Sequence, residues 1–337
     1  MKKNLFLYLL FIVLSTTGCS KKPSQATNSA IKVGLVFDVG GRGDKSFNDA
    51  AYRGLERIKK ELGIDFEYIE PGAGVDRETA LRQLASRSEI SLIFGIGFIF
   101  TDDITNIAKE FPDKKFACVD YTVDTSKTIP QNLLALKFKE EEGSFLVGVL
   151  SSLLSKSNTV GFIGGMQSPL IKKFESGYSA GVKYINSKCK VLIAYAGVTG
   201  EAFKNPSKGK ELALTQYSQG ADIIYHASGV TGLGVFEAAR EAKRLAIGVD
   251  SDQFHEAPGF ILTSMTKVVD NALFEAAQGV KGGTFKGGYA LTLGLKSKGV
   301  DYVYDDNNRN LIPSDIREKI ESIRNKIISG EIVVPYQ

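Results

Sequence analysis

The sequence predicts an α/β protein with two doubly wound parallel-sheet lobes joined by a hinge. Short apolar runs alternate with amphipathic stretches from Ile31 onward, and the alternation restarts after Pro130-Gln131-Asn132. At 337 residues, the chain is long enough for two domains of ordinary size.

Strands are expected at 32–38, 66–69, 91–97, 115–120, 133–138, 159–164, 190–195, 222–226, 245–250 and 260–264. Each is a short apolar run, the pattern of a strand covered on both faces. Phe47, Ala51, Leu55, Ile58 and Leu62 recur at helical spacing, and Gly63 ends that helix. Further helices are expected at 207–218, at 232–243 and, after Pro313, at 314–328. Glu140-Glu141-Glu142 opens another, with acids where the helix dipole favours them. The lobes are read as 31–134 with about 259–290, and 135–258 with about 291–337. The chain then crosses near 135, 258 and 290. No short internal repeat is evident.

Residues 1–18 read as a leader. Lys2 and Lys3 precede an apolar run from Leu5 to Leu14, too short for a membrane span but right for a secretory signal. Ser15-Thr16-Thr17-Gly18-Cys19 then reads as a relaxed lipoprotein cleavage site, with Cys19 acylated as the first mature residue. Residues 19–30 are polar and form the expected tether. The protein is therefore expected to be exported and lipid-anchored to the cell membrane. Cys118 and Cys189 lie in apolar runs and are expected as buried thiols, with a disulfide the alternative.

The chain has 42 Lys+Arg against 38 Asp+Glu, a net charge of +4, with 43% hydrophobic and 24% charged residues. That balance argues against disorder and against a polybasic nucleic-acid binder. Two histidines, three cysteines and no CxxC leave little material for a metal site or histidine-based catalysis. The expectation is a monomeric binding protein with no metal, no cofactor and no catalytic residue.

Ligands of open parallel sheets sit beyond the carboxyl ends of the strands. That rule selects Asp38, Asp120, Gly164, Gly229 and Asp250 as cleft residues. The loop Val39-Gly40-Gly41-Arg42-Gly43-Asp44-Lys45-Ser46 resembles a nucleotide loop only in its glycines. Ser46 stands where the dinucleotide fingerprint needs its third glycine, and no Gly-Lys-Ser/Thr triplet occurs. Arg42-Gly43-Asp44 reads as loop chemistry rather than as an adhesion signal. His226 ends an apolar strand and is expected to be packed, whereas His255 is expected in a solvated loop. Asp38, Asp44, Asp120 and Asp250 are compatible with paired catalytic carboxylates, and equally with acceptors around an uncharged polyol. Phe47 and Phe203 each precede a helix at the mouth of a sheet, where a flat ring would stack between them.

The stretch from Val36 through the glycine loop to Asn48, with Gly248-Val249-Asp250-Ser251-Asp252-Gln253 and Thr263-Ser264-Met265-Thr266-Lys267, resembles the basic membrane protein lipoproteins. These are purine-nucleoside-receptor-like substrate-binding proteins of ABC transporters. The resemblance runs from Ile31 to the C-terminus and implies a type I periplasmic-binding-protein fold closing on adenosine, guanosine or inosine. It implies an aromatic clamp at Phe47 and Phe203. Base contacts fall at Asn48 and Asp120, with Asp38 or Asp44 as further candidates, and ribose contacts at Gly229, Asp250 and Lys267. The implied partner is an ABC permease. Two function classes stay open at this point, a nucleoside receptor and a surface lipoprotein acting mainly as an adhesin. A nucleoside hydrolase stands third.

Overall fold

The computed structural model describes residues 31–70 and 76–336. The expected leader and tether, including Cys19, lie outside them. Twelve strands are β1 (Lys32–Val36), β2 (Asp65–Ile69), β3 (Ile90–Ile96), β4 (Lys115–Val119), β5 (Leu133–Phe138), β6 (Thr159–Met166), β7 (Lys190–Gly197), β8 (Ile223–Ala227), β9 (Leu245–Asp250), β10 (Ile261–Lys267), β11 (Tyr289–Leu293) and β12 (Val300–Tyr302). The helices are α1 (Phe47–Arg57), α2 (Arg77–Ala85), α3 (Thr101–Glu110), α4 (Glu140–Leu154), α5 (Pro169–Ile185), α6 (Pro206–Ser218), α7 (Thr231–Ala242), α8 (Val269–Lys281) and α9 (Ser314–Ser329).

The strands form two six-stranded sheets, ordered β11-β5-β4-β3-β1-β2 and β12-β10-β9-β8-β6-β7. All pairings are parallel except β10 with β12. The two orders superpose when β1 to β5 are matched to β6 to β10 and β11 to β12. The strand order is thus used twice, with only the edge strand reversed (β11 parallel, β12 antiparallel), a repetition the sequence did not reveal.

Both sheets are covered on both faces, so β1, β3, β4, β5, β8 and β9 are almost wholly buried. Val33 and Leu35 face α1 and α8, while Val36 faces α2 and α3. In the second lobe Phe162 and Tyr225 face α4 and α5, while Ile163 and Ile224 face α6 and α7. α4 is buried over nearly its whole length because Gly148, Gly177 and Gly181 let it approach α5 backbone to backbone. Among the described residues Cys118 and Cys189 are buried and unpaired.

Three connections join the lobes: β5 to α4, β10 to α8, and β11 to β12. These passages differ from the expected positions near 135, 258 and 290. β5 runs to Phe138 in the first sheet, and β10 pairs with β9, so Ile261–Lys267 belongs to the second lobe and not the first. Likewise β11 pairs with β5 and extends the first sheet to Leu293. The apolar alternation is the same on either side of a crossing, so it does not say which sheet a strand joins.

Candidate functional site

The exits of β1, β4, β8 and β9 face each other across the lobes. Asp38, just past β1, is buried; its Oδ1 accepts the Val39 N–H at 2.7 Å. The Asp38 backbone N–H donates to Asn48 Oδ1 at 3.0 Å. Gly97, after β3, has φ +109°, and a side chain there would run into the Asp38 carboxylate. Burial pushes the Asp38 carboxyl up to about 7, against the Val39 N–H.

Asp44 acts on its own helix. Its Oδ1 accepts the N–H groups of Ser46 and Asp49, and its Oδ2 accepts the N–H of Asn48, all at 2.8–3.1 Å. Asn48 Nδ2 donates to the same Oδ2 at 3.2 Å. These bonds satisfy donors that a helix start leaves open. Burial still lifts the Asp44 carboxyl to about 6.

Asp120 leaves β4 and Asp250 ends β9, at matching places in the two lobes, with φ of 62° and 64°. Their surroundings differ. Lys267, the last residue of β10, donates to both Asp120 oxygens at 2.7 and 2.9 Å and to Glu140 at 3.4 Å. Lys173 caps the other side of Glu140 and reaches Glu141 at 3.2 Å. Lys173 and Lys267 together hold the Glu140 carboxyl below its ordinary value despite burial, and the carboxylates hold Lys267 charged. Burial outweighs Lys267 at Asp120 and raises its carboxyl above the ordinary carboxylate range.

Asp250 has no such lysine at bonding distance. Its Oδ2 accepts Ser46 Oγ–H from the opposite lobe at 2.7 Å, whereas its Oδ1 is buried without a partner among the described residues. Ser251 Oγ donates back to the Ser46 carbonyl at 3.0 Å, and Arg53 reaches Ser251 at 2.8 Å, so the lobes meet here. Burial raises the Asp250 carboxyl, with Lys267 opposing at longer range.

Between these groups lies a narrow cavity of about 50 Å³. Nine of the residues named from the sequence line it: Asp38, Asp44, Phe47, Asn48, Asp120, Phe203, Gly229, Asp250 and Lys267. Gly164, expected as a strand exit in the cleft, does not, because β6 runs on to Met166 and leaves it inside the strand. The half-buried Phe203 ring lies over Gly165, and its backbone touches Gly229, two glycines whose missing side chains make room for it. Phe47 presents its ring to Lys267, with Nζ 4.8 Å from the centroid. The cavity is lined by the rings of Phe47 and Phe203, which suit a flat ligand, and by carboxylates, which offer acceptors to a ligand that brings donors.

His226 lies beneath the cavity and His255 is exposed. His226 Nδ1 sits 3.2 Å from Ser228 Oγ, a spacing that suggests an activated serine. The chemistry argues otherwise. Burial holds His226 down to about 4, too weak a base to activate a hydroxyl near neutrality, and its second nitrogen faces Gln253 in place of a carboxylate. Among the described residues no group of three His, Cys, Asp or Glu is placed to hold a metal ion.

The model of a family described as ABC transporter substrate-binding protein, PnrA-like, matches residues 31–337. The chain belongs to this family. It is 36% identical to a CD4+ T-cell-stimulating antigen of Listeria innocua, over 96% of this chain and 94% of that one. It is 35% identical to basic membrane protein A1 of Borrelia garinii, over 99% and 96%. The structure of an ABC transporter solute-binding protein from Aeropyrum pernix superposes with a TM-score of 0.81 at 29% identity, covering 91% of this chain and 94% of that one. The fold is accordingly that of the type I periplasmic binding proteins.

In this substrate-binding protein the strand-exit rule located Asp38, Asp120, Gly229 and Asp250, and helix position located Phe47 and Phe203. It missed Phe98, Phe174, Ser46 and Ser228, which also serve the site. Glu140 was read only as a helix-start acid, yet it is the second partner of Lys267. Lys267, named beside Asp250 as a ribose contact, directs its own hydrogen bonds to Asp120 and Glu140.

Proposed function

We propose that this chain is the lipid-anchored receptor of a nucleoside-importing ABC transporter, holding adenosine, guanosine or inosine between its lobes and passing it to a permease unchanged. The observation that carries the reading is the buried, unpartnered Oδ1 of Asp250, in a cavity whose lining includes Phe47 and Phe203. A carboxylate oxygen stranded there is an acceptor waiting for a hydroxyl. The purine stacks between Phe47 and Phe203, with Asp38, Asn48 and Asp120 toward its polar edge. Asp250 and Gly229 take the ribose. Lys267 joins them through its longest contact, the 3.4 Å bond to Glu140, which a ligand hydroxyl can replace.

The anchor rests on Gly18-Cys19 after the apolar leader and on relatives named lipoprotein and basic membrane protein. An enclosed acceptor-rich cavity favours the receptor over the adhesin, whose work would be on the surface. Calorimetry on the unlipidated protein tests the reading. Inosine should bind, hypoxanthine should bind more weakly, and Asp250→Ala should cost at least about tenfold, since bonds to charged groups contribute roughly 1.5–3 kcal/mol. Equal affinity for hypoxanthine and inosine would overturn the ribose assignment.

A further inference from the structure

Ser228 follows β8 and lines the cavity, but its hydroxyl is not free to choose a role. The chain of hydrogen bonds behind it starts at a backbone group whose direction is fixed. The Val249 N–H donates at 2.8 Å to the Gln253 side chain, so the atom facing it is the carbonyl oxygen Oε1. Turning the amide over would set Nε2 against an N–H, donor against donor. The same Oε1 lies 3.2 Å from His226 Nε2. That nitrogen must therefore carry the proton, and neutral imidazole has only one. Nδ1 is then a bare acceptor, and the atom 3.2 Å from it is Ser228 Oγ. The serine proton points down into the lobe, away from the cavity. What Ser228 turns to the cavity is a pair of oxygen lone pairs.

Burial keeps the relay in this state, because His226 is fully enclosed, held down to about 4, and packed edge-on to Phe236 at 5.0 Å. Gly232 lies so close to the imidazole that any side chain there would strike it. β8 and β9 are adjacent parallel strands paired from Ile223–Leu245 to Tyr225–Ile247, and continuing that register sets Ser228 opposite Asp250.

We infer that Ser228 is a specificity-determining residue that accepts a hydrogen bond from a ligand hydroxyl beside the one taken by Asp250, with His226 and Gln253 as positioning residues that fix its polarity. The inference rests on the nucleoside reading and adds a constraint to it. Two fixed acceptors on neighbouring strands select a sugar presenting two neighbouring O–H donors, and disfavour one whose second hydroxyl is missing or alkylated.

Two measurements test this. The first uses ligand-free wild-type protein and nitrogen-15 NMR; with two histidines in the chain, the buried ring is readily told from the exposed one. The expected result is a protonated Nε2 and an unprotonated Nδ1 on His226; the opposite tautomer overturns the inference whatever the ligand is. The second is calorimetry of wild type and Ser228→Ala with inosine and its 2′-, 3′- and 5′-deoxy forms. Ser228→Ala should weaken inosine about 3–10-fold. One deoxy form, already weaker on wild type, should lose nothing further. Unchanged inosine affinity, or the same loss for all four ligands, overturns the assignment while leaving the nucleoside reading intact. Wild-type protein that binds none of them overturns both.

Discussion

Replacing Asp38 with Asn should stabilise the unliganded protein, and by an amount that grows with pH. Burial raises the Asp38 carboxyl from 3.8 to about 7. A carboxyl whose folded pKa lies above its unfolded one binds its proton more tightly when folded. Its contribution to stability is therefore lost as pH rises from about 4 to about 7, the reverse of an ion-paired aspartate. At 1.36 kcal/mol per pK unit, the ionised group costs on the order of 4 kcal/mol at pH 8 and roughly 2 kcal/mol at pH 5. Asn removes the charge and keeps the shape: its Oδ1 can accept the Val39 N–H, and the backbone bond to Asn48 is untouched. Urea unfolding of ligand-free wild type and Asp38→Asn at pH 5, 6, 7 and 8 would measure the difference, with equal m-values as the check on two-state behaviour. The gap in favour of the variant should widen by about 2–3 kcal/mol from pH 5 to pH 8. A gap that stays constant across that range would refute the reasoning, as would a variant less stable than wild type at pH 8.

Other substitutions probe other parts of the site. Phe47→Ala removes one stacking face and should weaken adenosine, guanosine and inosine alike, by roughly 1–3 kcal/mol in calorimetry; unchanged affinity in a folded variant would remove Phe47 from the clamp. Lys267→Met strands Asp120 and Glu140 without their shared cation, and the urea midpoint should fall by the equivalent of about 3–5 kcal/mol at pH 7. A shift below about 1 kcal/mol would mean that the pair is solvated in solution. AMP should fail to displace labelled adenosine, because a phosphate set about 4–6 Å from a cavity carboxylate meets roughly 3–4 kcal/mol of repulsion per charge at an effective dielectric near 20. Displacement by AMP equal to that by inosine would refute this.

The sequence and the structure agree where burial is local and diverge where partners are remote. Ten strands were legible as short apolar runs, eight of them central in their sheets and two, β2 and β7, part-exposed at the edges. Tyr289–Leu293 was not, although it is exposed like β2, and Val300–Tyr302 is only three residues long. The crossings were displaced because periodicity records that a strand is buried without recording beside which neighbour. The same limit applies in the site. Asp38, Asp120 and Asp250 are readable as strand exits, a property of position along the chain. That Lys267 serves Asp120, that Glu140 completes its shell, and that Ser228 has its proton tied down by His226 are properties of contacts between segments far apart in sequence. Only assembled lobes display them.

The duplicated topology explains why the cavity is polarised. Each lobe sends a carboxylate from the end of the corresponding strand, Asp120 from β4 and Asp250 from β9, with nearly the same backbone turn. Two lobes with identical strand ends would leave two equal buried charges and no reason for a ligand to bind in one orientation. The neighbouring strands break that equivalence. β10 ends in Lys267, while its counterpart β5 ends in Phe138, and the single lysine crosses to the first lobe's aspartate. Asp120 is thereby neutralised and Asp250 is left with one free oxygen. The second lobe has the acceptors that need a donor-rich partner, and the first has a compensated charge beside the Phe47 ring. A ligand with a flat end and a hydroxylated end therefore meets a cleft that already distinguishes the two.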